Sequence, residues 1–494
     1  MMAKKEKSVD TLTVNLIGDI RLCVPNDASL MTPYILLEQE DWFEDEVKFV
    51  RKFIKPGMNV IDIGANFGTY SMNIAKKIGK TGNLWAFEPS SLCRSYLEKS
   101  ITINGFKNIV LSPSGLSDQK RKAVLLAGEN TELGHVSTIG TDNAQGESID
   151  LKTLDECMEE YSWERIDFVK MDAEGEEANI IKGGRLFFDK FSPIVMYEYR
   201  HIEEINDTLI SDFSALGFTS YRLVPGMNLL VPLDNETNND AFMLNIFCCK
   251  EDRAVRLEKE GYLIRRPIDE SEIVPVEGGW RKILVRFKYG KKLVSILGHS
   301  LAQKVSAAGW NEYRLALDFY AQSKNAKQDL ALRYAFLKRA YIELGSITAE
   351  SPNFANLQSY VRVAIELGER SQAKQVLAVL VRAIASGEVL TVPYPFISVS
   401  SRYEDIDPRN DLEGWIKTSI LETYEKIRSH SSYYTGISSL EFIEELAKSP
   451  FSSPEIERRR QLARMRAGLQ KKPEKNDLVA SRNNENRNEN YWLQ

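Results

Sequence analysis

Three carboxylates, Asp62, Glu88 and Asp172, stand at or near the ends of the apolar runs NVIDI, NLWAFE and DFVKMD, which have β-strand character. The first belongs to VIDIGANFGTYS, Val60 to Ser71, where a buried strand passes through a glycine turn containing Gly64, Asn66 and Gly68 and enters a helix. Such a turn brings backbone close to a ligand, and the acid beside it selects the ligand's charge. A pyrophosphate is repelled by Asp62, whereas an ammonium or a sulfonium is attracted. That favours S-adenosylmethionine, with its amine and charged sulfur, over a nicotinamide dinucleotide. The glycines do not fall as G-x-G-x-x-G, the dinucleotide fingerprint. Glu88 suits the two hydroxyls of a ribose, a device that both cofactors share. The plain structural alternative has Asp62 capping the following helix.

Transfer of a methyl group from a sulfonium is an in-line displacement that needs alignment of two centres and a group to take the acceptor's proton. Asp172, Glu174, Glu198 and His201 are the candidates for that acceptor side, since KMDAEGEE and VMYEYRH follow two successive strands. Ligands of open α/β sheets bind beyond the carboxyl ends of the strands, so Asp172 should share a crevice with Asp62 and Glu88. Glu176 and Glu177 have a simpler role in a first helical turn, where the helix dipole favours acids. His135, in ELGHVSTIG, reads as part of a substrate loop. Asp172, Glu174 and Glu198 together could hold a hard cation, but carboxylates alone do not specify one, and no metal is assigned.

The elements that must position these groups alternate between strand and helix from Met58 to about Lys250, as a parallel sheet covered by helices requires. Strands are expected at NVIDI, NLWAFE, NIVLSP, DFVKMD, PIVMYEY, TSYRLV and AFMLNIFC, seven in all. Helices are expected around Tyr70 to Ile78, Leu92 to Ile103, Glu176 to Ile181 and Ile202 to Leu216. The last two strands, joined by the loop-like VPGMNLLVPLDNETNND, suggest an antiparallel hairpin at one edge. Before the glycine turn, DWFEDEVKFVRKFIKPG sets Phe43, Val47, Val50 and Phe53 or Ile54 on one helical face.

At 494 residues the chain exceeds one ordinary domain. With 43% hydrophobic and 27% charged residues it has the makings of soluble globular cores, and a net charge of -6 argues against general nucleic-acid binding. No apolar run has membrane length, and Cys23, Cys93, Cys157, Cys248 and Cys249 lack metal spacing, so a cytoplasmic protein with reduced thiols is expected. The division expected is an N-terminal extension at 1–40, a cofactor domain at 41–250, a connecting region at 251–309, a helical region at 310–470 and a disordered tail at 471–494. Segments such as YVRVAIELGERSQAKQVLAVLV resemble half tetratricopeptide repeats, which would serve a protein partner or self-association. An ordinary helical bundle fits them equally. WRKILVRFKYGKK reads as an edge strand or a glycan or phosphate contact. IERRRQLARMRAGLQKK reads as a helix with Leu462, Met465 and Leu469 on one side and arginines facing water, an anionic membrane or a partner.

From about Asp41 to Arg200 the chain resembles the FkbM family of S-adenosylmethionine-dependent methyltransferases. The matching segments, in the family's order, are VIDIGANFGTYS, WAFEPS, GLSD, TLDE, IDFVKMDAEGEE and PIVMYEYR. Ala173 is a mild departure from a family position that is commonly larger. The resemblance implies a Rossmann-like class I methyltransferase fold and transfer to a hydroxyl of a sugar, glycan or secondary metabolite. It implies that Asp62, Gly64, Asn66 and Gly68 hold the methionine part and Glu88 the ribose. Ser117 and Asp118 would lie near the adenine, and Asp172 with Glu174 would face the reacting methyl. A catalytically silent module that keeps this fold as a binding scaffold is the alternative. The helical remainder lies outside the resemblance.

Overall fold

The computed structural model describes residues 10–127, 134–137, 146–201, 204–205, 207–233, 240–293, 309–387 and 394–470. Two compact units divide them: the described residues within Met1–Arg222, Met243–Lys259 and Gln461–Gln494 form one, and those within Leu223–Phe242 and Glu260–Arg460 the other.

The central sheet is built from β1 (Asn59–Ile63), β2 (Asn83–Phe87), β3 (Ile109–Ser112), β4 (Phe168–Met171), β5 (Ile194–Glu198), β6 (Thr219–Val224), β7 (Leu229–Pro232) and β8 (Asn245–Cys249). Its order is β7-β6-β8-β5-β4-β1-β2-β3. The five strands from β1 to β5 run parallel, and β8 pairs antiparallel with both β5 and β6. The sheet therefore has eight strands rather than seven. The extra one, β7, lies inside the segment expected to be a loop; LLVP is too short a run to stand out from its neighbours. All seven expected strands are present, and β6 and β8 pair antiparallel as expected, but β7 lies outside β6 and forms the edge.

Strands β1 and β4 are buried on both faces, which is why NVIDI and FVKM lack polar alternation apart from two charged residues. The helix Thr69–Ile78 begins at Gly68, and Ser91–Asn104 is capped by Ser90 and stopped by Gly105 in the left-handed conformation. The helix Asp45–Phe53 buries Val47, Phe49, Val50 and Phe53; Phe49 packs on Phe247 of β8 and Phe53 on Phe168 of β4. Phe43 precedes that helix instead of joining its apolar face. A separate four-stranded sheet joins Gly115–Leu116, Gly146–Lys152, Arg121–Ala127 and Gly134–Ser137. His135 thus sits in a strand, not a loop.

In the other unit, the helices Trp310–Ser323, Leu330–Glu350, Phe354–Leu367, Arg370–Ala385 and Leu412–Ile427 pack each on the next. WRKILV forms a short helix, Gly279–Leu284, rather than a strand, with Trp280 buried against Trp310. The arginine-rich segment is helical at Pro454–Arg466, yet Arg458 and Arg459 face neither water nor a membrane. Both are buried, and Arg459 pairs with Glu425 and Glu455. The tail from 471 and residues 1–9 of the expected extension lie outside the described residues.

Candidate active site

The carboxyl ends of β1, β2 and β4 bring the three acidic segments together. Backbone bonds from Gly64 and Ala65 to the Phe87 carbonyl fold the glycine turn over β2, and Asp172 donates its N–H to Ile63. At Gly64, φ is +72°, and a Cβ there would lie 1.7 Å from the Asp172 carbonyl oxygen. A Cβ at Gly68 would meet Leu97 at 2.5 Å. Gly64 is therefore required by close backbone packing, before any ligand is considered, whereas at Gly68 it is the left-handed φ of +94° that favours glycine.

Asp62 does not point into open space, as its place beside the turn suggests. Its residue is wholly buried, and Oδ2 accepts the Ser71 hydroxyl at 2.5 Å. Oδ1 is buried without a hydrogen-bond partner and lies 3.8 Å from Lys170 Nζ. Burial raises the Asp62 carboxyl, against the opposing pull of Lys170 and Ser71.

Lys170 is the functional candidate that the sequence reading missed. It stands directly opposite Asp62 in the β1–β4 register and is itself buried. Its ammonium reaches Asp172 Oδ2 at 3.0 Å and the Gly64 carbonyl at 3.0 Å, and lies 5.6 Å from the centre of the Tyr70 ring. Burial alone would lower its pKa, but Asp172 and Asp62 reverse that and hold it above the ordinary lysine value. The available signal was one charge, Lys170, inside the otherwise apolar strand FVKM.

Asp172 keeps 35% of its side-chain surface exposed, whereas Asp62 is sealed. Glu174 follows in the left-handed conformation, and Gly175 likewise. Glu177 fastens this loop by accepting the Ala173 N–H at 2.6 Å and the Gly175 N–H at 3.1 Å, which gives it a role beyond the helix dipole. Glu88 is nearly buried, with Oε2 on the Asn66 N–H at 2.7 Å and Oε1 on the Ser90 N–H at 2.8 Å. Burial raises it to about 7, although both backbone donors favour its charged form.

Ser117 is buried, and its hydroxyl donates to Glu176 at 2.6 Å. Asp118 beside it is exposed and 3.9 Å from Arg121. Glu198 ends β5 opposite Asn245 of β8, whose amide reaches Glu44 at 3.2 Å. Glu44 also receives the Tyr70 hydroxyl, and burial raises its carboxyl. Glu44 is a second residue that the sequence reading passed over. His201 pairs through its backbone with Glu204, and its side chain lies outside the described residues.

Residues 62–220 match the family described as Methyltransferase FkbM domain. This segment is an FkbM domain, of the S-adenosylmethionine-dependent methyltransferases. A methyltransferase named sdnD from Sordaria araneosa is 26% identical over 154 residues, 25% of this chain and 59% of that protein. Ribosomal RNA large subunit methyltransferase E from Buchnera aphidicola subsp. Cinara cedri is 45% identical over 51 residues, 10% of this chain and 24% of that protein. The chain thus spans between a quarter and three fifths of the length of these curated relatives. The crystal structure of methyltransferase FkbM from Methylobacillus flagellatus KT aligns with TM-score 0.27 and 15% identity, over 39% of this chain and 43% of that one.

The FkbM domain's residues suit such a cofactor on chemical grounds. An exposed Asp172 carboxylate beside the Gly64 turn has the charge that complements an ammonium and a sulfonium. Among the described residues no cluster of histidine, cysteine and carboxylate ligands is arranged for a metal.

Proposed function

We propose that the FkbM domain moves the methyl group of S-adenosylmethionine to a hydroxyl oxygen of a sugar or glycan. The observation that carries this reading is the Asp172 carboxylate, exposed at the crevice and held 3.0 Å from the buried Lys170 ammonium. S-Adenosylmethionine supplies a methyl carbon on a positively charged sulfur. A C–O bond forms as the C–S bond breaks, the bonding pair goes to sulfur, and the acceptor's proton passes to a carboxylate. Asp172 and Glu174 are the groups assigned to the reacting side, with Glu198 and His201 further along the acceptor wall. Gly64, Asn66 and Gly68 shape the methionine end, Glu88 takes the ribose, and Ser117 with Asp118 border the adenine.

The helical unit is assigned to recruiting a partner or substrate, or to self-association. We place the reaction in the cytoplasm, in keeping with five buried, unpaired cysteines and with the absence, among the described residues, of any helix long and apolar enough to cross a membrane.

The test is incubation with methyl-labelled S-adenosylmethionine and extracted glycans, alongside calorimetry with the unlabelled compound. Asp172→Ala should lower label transfer by about 10²-fold or more even at saturating S-adenosylmethionine, beyond any loss of affinity. Absence of S-adenosylmethionine binding to the wild type would sink the reading. Label found in RNA instead would replace the acceptor class.

A further inference from the structure

We propose that Lys170 is a positioning residue of the cofactor site, and that Asp62 acts on a bound methionine end through Lys170 rather than by touching it. The inference rests on the reading of the crevice as an S-adenosylmethionine site. It begins from the β1–β4 register, which sets Asp62 and Lys170 side by side in the middle of the sheet. Asp62 has no exposed surface, so a ligand entering the crevice meets other atoms first. Those atoms include the Gly64 carbonyl and the Asp172 carboxylate, and Lys170 Nζ lies 3.0 Å from each.

One ammonium therefore ties the turn after β1 to the loop after β4. It is faced by Asp62 from β1, by Asp172 from the end of its own strand, by the Tyr70 ring from the helix Thr69–Ile78 and by the field of Glu44. Asp62 draws the ammonium inward. If Asp62 loses its charge, Lys170 is left to neutralise Asp172, and the crevice becomes less attractive to a sulfonium. The amine of the ligand, present in both S-adenosylmethionine and S-adenosylhomocysteine, does not distinguish the two; the sulfonium, present only in the first, does.

The experiment is a double-mutant cycle read by calorimetry with both compounds on the full chain: wild type, D62N, K170M and D62N/K170M. D62N should weaken S-adenosylmethionine by about tenfold in the presence of Lys170, and D62N/K170M should bind no more weakly than K170M, because coupled residues do not add. A loss of about tenfold on adding D62N to K170M would mean that Asp62 acts on the ligand by itself, and would overturn the proposal. Should K170M not fold by circular dichroism, D62N alone decides. A larger loss for S-adenosylmethionine than for S-adenosylhomocysteine supports action through Lys170 and Asp172, and equal losses overturn it. A merely structural role would leave that ratio unmoved. If the wild type binds neither compound, the site reading falls and the proposal with it; if it binds and the cycle is additive, only the proposal falls.

Discussion

In the unit that contains the FkbM domain, burial holds the carboxyls of Asp62, Glu88 and Glu177 above their ordinary values. In the helical unit, the buried Glu366 and Glu422 and the partly buried Glu455 are held below theirs, because cations outweigh the cost of burial. Glu366 has Lys324 at 2.7 Å and Arg362 at 2.8 Å, while Lys426 lies between Glu422 at 3.0 Å and Glu455 at 2.9 Å. Glu404 departs from this pattern: burial raises it in spite of Arg362 at 2.7 Å. Glu422 and Glu455, which share Lys426, have further cations in Arg402 at 3.7 Å and Arg459 at 3.0 Å, whereas Lys170 serves both Asp62 and Asp172. Buried charge that is matched within the chain is a matter of stability. Buried or half-buried negative charge left under-matched beside an opening is what a cationic ligand needs.

The largest effect expected on this contrast comes from Arg362→Met in the helical unit, which leaves Glu366 and Glu404 short of a partner. It should cost about 3 to 5 kcal/mol in chemical denaturation without changing S-adenosylmethionine affinity. A matching loss of affinity would erase the distinction between the two sets of charges. Next is Gly64→Ala, where a left-handed backbone and the overlap with the Asp172 carbonyl together should cost about 3 kcal/mol and reduce cofactor binding. Retained stability and binding would show that the close approach is relaxed in solution.

Opposite pH dependences follow from Glu88 and Glu455. Glu88 is raised from 4.5 to about 7 in the folded chain, so the native state binds the extra proton between those values. Its contribution is present below pH 4.5 and is lost as pH rises to 7, roughly 3 kcal/mol in the ligand-free protein. Glu455 is lowered from 4.5 to about 2, so its contribution is present above pH 4.5 and is lost as pH falls towards 2, again roughly 3 kcal/mol. Denaturation across pH 4.5 to 7 should show the first slope in the wild type and its absence in Glu88→Gln. Glu455→Gln should flatten only the acid limb, and a slope shared by both variants would deny the separation. The smallest effect belongs to Asn353→Ala. Asn353 caps the helix Phe354–Leu367 reciprocally with Asn356, and its loss should cost about 1 kcal/mol with no consequence for binding.

The sheet was largely legible in advance because its central strands are buried on both faces and announce themselves as apolar runs broken by one charge each, as VIDI and FVKM do. Strand β7 was hidden by its brevity, and the helix at WRKILV by apolar residues that fit either period. For the site, the strand ends were enough to single out Glu88 and Asp172, which follow the two strands that flank β1. Burial was not legible: Asp62 and Asp172 look alike in sequence, yet one is sealed and the other is open. The arginines of the last helix are a similar case, since Arg458 and Arg459 read as a solvated face and are instead buried.

The amino-acid sequence by itself determined the parallel α/β class, the acidic glycine turn and the chemical character of the ligand, because strand period, turn residues and local charge are properties of neighbours along the chain. Only the tertiary structure decided that Lys170 stands beside Asp62, that Gly64 must lack a side chain to clear Asp172, and that Glu44 joins Tyr70 and Asn245. Apart from Glu44 with Tyr70, those relations join residues more than a hundred positions apart, and the register of β1 against β4 sets the pairing of Lys170 with Asp62. Pairing of that kind is settled by packing across the sheet, which no local pattern encodes.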